Sequence, residues 1–196
     1  DGRDDPYTPT RGFFVQASHE YAGDFLGGED FWKATAQAQV FVPLRENRHG
    51  NWHILSLGTR AGWAQTHSGE DTLPVSERFF AGGTASVRGF EVRTIGPKEG
   101  TRSVGGSYLW LGRAEYEFPL GRQQILRGSA FYDAGTVERS TGGDLWDEVR
   151  SSWGFGARVA VPALGPMPIQ FDWAWPIEKE EGDESDSFTF SLGSTF

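Results

Sequence analysis

Apolar and polar residues alternate with a period of two in eight separate segments of this chain, and turn-forming residues lie between the segments. Because successive side chains of a strand point to opposite faces of a sheet, this pattern predicts two-faced β-strands. The second segment shows it most clearly, with Trp32, Ala34 and Val40 on one face and Lys33 and Gln37 on the other. No segment has the period of a helix. The predicted strands cover residues 10–21, 31–42, 52–65, 107–118, 126–137, 153–161, 169–175 and 188–196.

Composition favours a membrane barrel over a soluble domain. Hydrophobic residues make up 37% of the 196 residues and the mean hydropathy is −0.47, yet aromatic residues reach 14%, with 8 Trp and 15 Phe. A transmembrane β-barrel needs an apolar residue only at every second position and collects aromatic rings at both membrane interfaces. The sequence has no apolar run near the ~18 residues that a membrane helix needs. We therefore expect one all-β domain over residues 1–196, an antiparallel transmembrane β-barrel of about eight strands with one long extracellular loop.

Alternation alone does not say which face is inside, because soluble barrels and sandwiches alternate as well. Two features favour the membrane arrangement. First, the polar faces carry charges that a dry core would not tolerate unpaired; these are Arg113, Glu115, Glu117, Arg127, Asp133, Arg158 and Asp172. Second, with the C-terminus in the periplasm, the short turns 120–124 and 163–168 lie on that side. A loop of about 40 residues and the stretches 138–150 and 178–186 lie on the other side, as in outer-membrane barrels.

The charge balance and the lack of cysteine exclude several classes of protein. The 18 basic and 27 acidic residues give a formal net charge of −9, which argues against a nucleic-acid-binding protein. Acidic residues cluster at 1–5 and at 178–186, where we expect solvated loops. Without cysteine, disulfides and thiolate metal sites are excluded. The chain begins without the basic-then-apolar segment of a signal peptide, so we expect a mature product or a piece of a longer protein.

Signatures of an enzyme are weak. The four histidines form no HExxH motif, and no GxSxG motif occurs. Gly154 and Gly156 begin like a dinucleotide-binding fingerprint, but Val159 stands in place of the third glycine and no helix is predicted after it. A Ser–His site remains a minor alternative, because small outer-membrane enzymes exist on eight strands. We expect no catalytic residue and no metal.

The long loop contains the most specific motif of the chain. Residues 78–90 read RFFAGGTASVRGF and place Arg88 between glycines, far from either end of the loop. Such a loop is suited to hold one fixed charge in one fixed place. On spacing alone an exposed loop arginine is the more frequent case, and a functional arginine is the alternative.

Val87, Arg88, Gly89 and Phe90 match the VRGF or VRGY tip of the longest extracellular loop in the BamA/TamA superfamily, which this chain resembles. The surrounding RFFAGG, the following IGPK and the lead-in DGRDDPYTPTRG extend the resemblance. Members are outer-membrane barrels that insert or translocate other proteins. Their barrel has sixteen strands preceded by periplasmic POTRA domains. The resemblance therefore implies the C-terminal half of such a barrel, without POTRA domains, in a bacterial-type outer membrane.

The resemblance also implies a site. In the family the loop arginine turns into the barrel and pairs with a wall carboxylate in an FxDxG motif, which Phe131, Asp133 and Gly135 supply here. Asp133 falls on the polar face by strand parity, and a guanidinium can hold a carboxylate through two hydrogen bonds. Asp172, within GPMPIQFDWAWPI, resembles a second wall carboxylate, and Glu115 is a third candidate by parity only.

The last segment, SFTFSLGSTF, alternates aromatic residues and ends in phenylalanine. Its ordinary interpretation is an amphipathic edge strand. The alternative is the C-terminal signal that the assembly machinery reads in most outer-membrane barrels. The residues of this signal are Phe188, Phe190, Leu192, Gly193 and Phe196. The resemblance further implies that this strand pairs weakly with the first strand of the barrel to form a lateral gate, which Gly193 weakens further.

The implied function involves no bond chemistry and no cofactor. In the family, a weak seam and a thinned membrane lower the barrier for an unfolded client to enter the bilayer. The expected partners are unfolded outer-membrane proteins, the lipid bilayer, lipopolysaccharide and, through open strand edges, a second copy of the chain; nucleic acid is not among them. Two alternatives remain open. One is a passive small barrel, an anchor or narrow pore; the other is a two-partner-secretion translocator, which shares the VRGF and FxDxG motifs.

The length of the loop conflicts with a small closed barrel. An eight-stranded barrel is nearly filled by its own side chains, so a loop of about 40 residues does not fit inside one. Either the loop stays outside and the contact between Arg88 and Asp133 is lost, or the strands remain an open sheet. An open edge in lipid leaves backbone groups unsatisfied. We therefore expect closure, as an eight-stranded barrel or as an assembly of two copies.

Overall fold

In the part of the chain that the structure describes, eight strands form one antiparallel sheet, and a long loop folds against one of its faces. The computed structural model describes residues 1–23, 30–66, 73–100, 102–122, 125–139, 148–161 and 167–193. Within these ranges no helix is long and apolar enough to cross a membrane. The strands are β1 (Gly12–Ala22), β2 (Phe31–Glu46), β3 (Trp52–Thr66), β4 (Lys98–Glu99), β5 (Arg102–Ser103), β6 (Tyr108–Pro119), β7 (Leu126–Glu138), β8 (Arg150–Val159), β9 (Ile169–Glu178) and β10 (Phe188–Leu192).

The order of the strands in the sheet is β1-β2-β3-β6-β7-β8-β9-β10. The predicted fold class, all-β with about eight antiparallel strands, is confirmed. The remaining two strands, β4 and β5, pair only with each other and lie in the long loop. They were not predicted, because a two-residue strand is too short to show alternation.

Four strand ends differ from the prediction by three residues or more, and one of them is the end of β9, which continues past the predicted Trp175 to Glu178. β2 continues to Glu46 through a register shift between Pro43 and Arg45, and β8 begins at Arg150. β10 ends at Leu192, because Gly193 has a φ of 83°, a left-handed conformation that interrupts a strand. The predicted terminal residue of the C-terminal signal, Phe196, lies outside the described residues.

The register aligns polar residues of neighbouring strands on one face. Arg113 pairs with Asp133, and Asp133 pairs with Ser152. We call this the inner face, because the long loop packs against it. The opposite, outer face carries exposed aromatic residues, as expected for a surface in contact with lipid; these include Tyr116, Tyr132, Trp153, Phe155, Trp173, Trp175, Phe188 and Phe190.

The inner face changes character along the strands. Near the end from which the long loop leaves β3, it is apolar and forms a core with that loop. This core comprises Phe31, Ala64, Leu73, Phe79, Ala81, Val87, Phe90, Ile95, Leu109, Leu111 and Val137. Nearer the opposite, turn end the buried inner residues are polar or charged: Gln39, Glu115, Ser129, Asp133, Arg158, Gln170 and Asp172. A charged group of the loop that reaches the boundary between the apolar core and the turn end of the sheet therefore contacts charged side chains of the wall.

The loop enters the inner face, and over the described residues the sheet is open. Pairing runs from β1 to β10, and no pair between these two strands is formed within the described ranges. Arg88 is nevertheless fully buried, at 0% exposure. Of the two arrangements that the length of the loop allowed, the described residues adopt the open sheet with the loop inside. Closure, by eight strands or by two copies, stays a prediction.

Candidate functional site

The tip of the long loop is a closed turn that presents Arg88. The N–H of Gly83 donates to the carbonyl of Phe90 at 3.0 Å, and the N–H of Gly82 donates to Ser86 Oγ at 2.8 Å. Gly82 has a φ of 105°, and a Cβ there would lie 2.2 Å from the carbonyl oxygen of Glu91. A side chain at this position would force the turn apart, so the GG of the RFFAGG segment shapes the tip.

The residues on either side of Arg88 fix the tip in the core. Val87 and Phe90 are each 0% exposed. Gly89 has a φ of 89°, and a Cβ there would lie 3.2 Å from the Cβ of Ala174 on β9. The loop backbone therefore approaches β9 closely, which brings the arginine within reach of the wall carboxylates.

Arg88 grips Asp133 through three hydrogen bonds. Its Nε donates to Asp133 Oδ2 at 2.7 Å, its Nη2 donates to Oδ1 at 2.9 Å, and its backbone N–H donates to Oδ2 at 3.2 Å. Both side chains are 0% exposed. A two-pronged contact of this kind depends on the planar guanidinium, which a lysine does not possess.

The remaining guanidinium nitrogen of Arg88 reaches two more carboxylates. Nη1 lies 3.0 Å from Glu115 Oε2 and 3.3 Å from Asp172 Oδ2. The structure thus brings together all four charged residues that the sequence singled out: the loop arginine and its first, second and third candidate partners. The carboxylates come from three different strands, β6, β7 and β9.

Two wall arginines complete the cluster. Arg113 Nε donates to Asp133 Oδ1 at 3.0 Å, while Arg158 donates to Asp172 Oδ1 at 2.6 Å and to Glu115 Oε1 at 2.5 Å. Three guanidinium groups therefore face three carboxylates, and the cluster is neutral. Buried charges are tolerated only when they are paired in this way. We call the group Arg88, Arg113, Glu115, Asp133, Arg158 and Asp172 the arginine cluster.

The other two residues of the FxDxG motif give the cluster its space. The guanidinium carbon of Arg88 lies 3.4 Å from the centre of the Phe131 ring. A Cβ on Gly135 would lie 3.0 Å from Val87 Cγ2 and 2.6 Å from Leu111 Cδ2, so a glycine there leaves room for the loop tip. At alternate positions of β7 the motif thus supplies the aromatic ring of Phe131, the carboxylate of Asp133 and the space left by Gly135.

The protonation state of Arg88 follows from its surroundings. Burial by itself lowers the pKa of the guanidinium, but the charges of Asp133, Glu115 and Asp172 and the hydrogen bonds to Asp133 raise it well above its usual value. Arg88 is therefore a permanent cation that cannot act as a proton donor at physiological pH. The arrangement is suited to hold the loop in place.

The sequence did not identify the arginine partners on the wall. Arg113 and Arg158 were recognised only as charges on the polar face. The signal that was overlooked is charge balance. Three buried carboxylates around one arginine have a net charge of about −2, which needs two further cations. Gly156 was also missed as part of the site: a Cβ there would lie 2.1 Å from Asp172 Oδ1 and 2.7 Å from Arg158 Nη1.

The acidic connection between β9 and β10, residues 179–187, is exposed to solvent as its composition predicts, except at Asp183. Asp183 is 4% exposed and forms ion pairs with Lys98 of the long loop and with Arg150 at the start of β8. Composition alone could not reveal this, because both cations come from distant parts of the chain. Within the described residues, no group of three or more His, Asp and Glu side chains is arranged to hold a metal ion.

The C-terminal residues lie apart from the arginine cluster. Phe188, Phe190 and Leu192 are exposed on the outer face of β10. Gly193 accepts a hydrogen bond at its carbonyl from the buried Gln170 side chain, and its N–H donates to Pro168 O at 2.9 Å. The chain therefore turns at Gly193, where the sequence predicted a weak or kinked strand.

The chain is similar in sequence and in fold to outer-membrane assembly proteins. A family model described as the Omp85 superfamily domain matches residues 1–196. The outer membrane protein assembly factors BamA of Nitratidesulfovibrio vulgaris and of Neisseria meningitidis serogroup B are 31% and 32% identical, over 100% and 96% of this chain. The chain spans about a quarter of their length, 24% and 26%. The crystal structure of BamA from Haemophilus ducreyi lacking POTRA domains 1–3 superposes with a TM-score of 0.82, at 24% identity, over 99% of this chain and 40% of that one.

Proposed function

The chain belongs to the Omp85 superfamily, and from that membership we propose that it is the C-terminal part of an outer-membrane barrel that assists the insertion of other β-barrel proteins. The observation that carries the proposal is the burial of Arg88 in the arginine cluster. A loop that serves only to connect two strands does not need a neutral six-residue ionic network in its path.

The arginine cluster divides the sheet into a fixed centre and free edges. Its wall residues lie on β6, β7, β8 and β9. Arg88 pairs directly with residues of β6, β7 and β9, and Arg158 of β8 is linked to it through Glu115 and Asp172. β1, β2 and β10 contribute no residue to it. The loop therefore holds the shape of the central wall and leaves the outer strands free to move.

The last strand is weakly attached, as a gate requires. Over the described residues β10 pairs with β9 at five positions, whereas β9 pairs with β8 at nine. A strand with a short ladder on one side and an open edge on the other can accept an incoming strand through main-chain hydrogen bonds. In the proposed mechanism an unfolded client pairs at such an edge, and the fixed wall keeps the seam in place while the client enters the bilayer.

The proposed location is the outer membrane, with the C-terminus in the periplasm. The exposed aromatic residues of the outer face support contact with lipid. The lipid bilayer and unfolded outer-membrane proteins are the proposed partners. Contact of the long loop and the acidic connection with lipopolysaccharide, and pairing of two copies through β1, belong to the same proposal. No catalytic residue and no cofactor take part in it.

The test is the rate at which a urea-unfolded outer-membrane protein inserts into liposomes that already contain the protein. We expect faster insertion than into empty liposomes, and loss of the acceleration in Arg88→Ala. The matched control is Arg102→Ala, which removes an exposed arginine from the same loop. No acceleration by the unsubstituted protein would favour a passive barrel. Acceleration of one dedicated client among several would favour a secretion translocator.

A further inference from the structure

A second ionic cluster joins three elements at the loop end of the sheet. Lys98, in β4 of the long loop, pairs with Asp183 Oδ1. Arg150, the first residue of β8, lies 3.2 Å from Asp183 Oδ2 through its Nε and also pairs with Glu180. None of these residues belongs to the arginine cluster. We call this group the clasp: Lys98, Arg150, Glu180 and Asp183.

Asp183 is the centre of the clasp. Its side chain is 0% exposed, and its two oxygens are divided between the cations. Oδ2 also accepts the backbone N–H of Glu180 at 2.9 Å, which closes the turn that carries it. Lys98 Nζ adds a hydrogen bond to the carbonyl of Glu181 at 3.0 Å. A buried carboxylate with these partners holds its segment in one position.

Backbone contacts continue the clasp along the tip of the long loop. The N–H of Asp186 donates to Gly89 O at 3.2 Å, and the N–H of Glu91 donates to Glu184 O at 2.9 Å. The N–H of Glu184 donates to Thr94 Oγ1 at 2.9 Å. The acidic connection therefore lies against the loop from the residue after Arg88 to Lys98.

This connection leads directly into the last strand. Asp186 is two residues from Phe188, where β10 begins. Because β10 has a short ladder with β9, the position of its loop end depends strongly on the segment that precedes it. A clasp at Asp183 limits the movement of that end, while the turn end of β10 is not restrained by it.

We propose that Asp183 is a positioning residue that ties the loop end of the last strand to the long loop and to β8, so that an incoming strand meets an edge held in one register. The inference rests on the proposed function in treating β10 as the strand that receives a client. Without the clasp, both ends of β10 are mobile, and the strand no longer presents an incoming strand with a fixed register of hydrogen-bonding groups. Insertion slows, although the arginine cluster is intact.

The absence of cysteine from the chain allows a clean distance measurement. Nitroxide labels are attached to Val92→Cys and Ser185→Cys, two exposed positions on either side of the contact, in the full-length protein in liposomes. The distance distribution and the insertion rate of an unfolded outer-membrane protein are recorded for the same samples. We expect a narrow distribution in the unsubstituted protein and a broad one in Asp183→Asn. Insertion by Asp183→Asn slows by roughly threefold to tenfold.

Two further variants separate positioning from charge. Glu181→Gln removes a negative charge from the same connection but keeps the carbonyl that Lys98 contacts, so both readouts stay at the unsubstituted values. Asp183→Glu retains the carboxylate and restores part of the insertion rate and of the narrow distribution. Rescue by the longer acid identifies the ion pair as the active feature.

The possible failures differ from one another. A narrow distribution in Asp183→Asn would overturn the clasp. A broad distribution with an unchanged insertion rate would overturn the positioning role and leave the proposed function standing. If the unsubstituted protein does not accelerate insertion, the proposed function and the positioning role both fail, and the distance measurement still decides whether the clasp exists.

Discussion

Arg88 lies over the ring of Phe131, with 3.4 Å between its guanidinium carbon and the centre of the ring. The phenylalanine of the FxDxG motif thus contacts the loop arginine in addition to the aspartate two residues later. A Cβ on Gly154 of the neighbouring strand would lie 2.4 Å from Phe131 Cζ, so the ring fits only because that position is glycine. The position of the Phe131 ring on β7 therefore depends on a glycine of β8.

Replacement of the ring tests its contribution. Phe131→Leu keeps an apolar side chain but removes the ring electrons that attract the cation. Buried cation–π contacts contribute ~2 kcal/mol, so we expect the free energy of unfolding to fall by about that amount. Urea titration of refolding in lipid vesicles measures it. Phe155→Leu, on the exposed outer face, is the control; an equal loss in both variants would show that the ring matters only as apolar bulk.

Substitution of Arg88 tests the geometry of its contacts separately from its charge. Arg88→Ala leaves three carboxylates facing two arginines, and breaking a buried pair costs ~3–5 kcal/mol, less where water enters. Arg88→Lys keeps the charge but cannot reach Asp133, Glu115 and Asp172 from one planar group. We expect Arg88→Lys to lose most of what Arg88→Ala loses, in the same urea titration. A stability equal to that of the unsubstituted protein would mean that charge alone suffices.

A methyl group on β8 tests the packing of the cluster. Gly156→Ala places a Cβ where Asp172 and Arg158 meet, and it also approaches Phe171 O at 2.8 Å. Overpacking of this kind costs ~1–3 kcal/mol. Gly112→Ala is the control, because its Cβ would meet only the ring of Trp110, at 3.1 Å or more, on the outer face. Similar free energies of unfolding of the two variants would show that the strands around Gly156 can move to accommodate the methyl group without loss of stability.

The clasp is expected to open in acid. Burial by itself raises the pKa of Asp183, but the hydrogen bonds from Lys98 and the Glu180 N–H and the charge of Arg150 hold it below its usual value. A carboxyl with a lowered pKa stabilises the folded state above its unfolded pKa of about 4 and loses this contribution as the pH falls through its folded pKa. The distance distribution between labels at Val92 and Ser185 is therefore expected to broaden below about pH 4. In Asp183→Asn it is broad throughout.

The neighbouring pair Glu91 and Glu184 responds to pH in the opposite direction to Asp183. The pKa of Glu91 is raised by a hydrogen bond to the Glu184 side chain and by the charges of Glu184 and Asp186. That contact is present below the unfolded pKa of glutamate and is lost as the pH rises through the raised pKa. Glu184→Gln removes the pH dependence of this contact, because its amide can donate to the Glu91 carboxylate without a shared proton, and it serves as the control. If the broadening in acid disappears in Glu184→Gln, then Asp183 is not its source.

The sequence predicted most of the fold because period-two alternation is a local property. All eight long strands were recognised, and their parity placed Asp133, Asp172 and Glu115 on the inner face. Errors arose where the outcome depends on distant residues. β8 begins at Arg150, which pairs with Gly135 of β7 and forms an ion pair with Asp183, and nothing near Arg150 in the sequence reveals these contacts.

The site was predicted in part from the residues and in larger part from the resemblance. Spacing alone left Arg88 as an ordinary loop arginine, and the VRGF and FxDxG motifs supplied its partner. Arg113 and Arg158 were missed as partners because alternation shows that a residue faces inward and not what it touches. The buried state of Asp183 was missed for a related reason, since a run of acids gives no sign of cations elsewhere.

We propose that Arg88 holds the long loop against the inner face of the sheet and that insertion of a client depends on this contact. The most direct test places labels on the loop at Val92 and on the outer face of β7 at Tyr132, and records their distance and the insertion rate in the same liposomes. We predict that Arg88→Ala broadens the distance distribution and abolishes the acceleration of insertion together, while Arg102→Ala changes neither. A displaced loop with undiminished insertion would show that insertion does not depend on the contact of Arg88 with the wall.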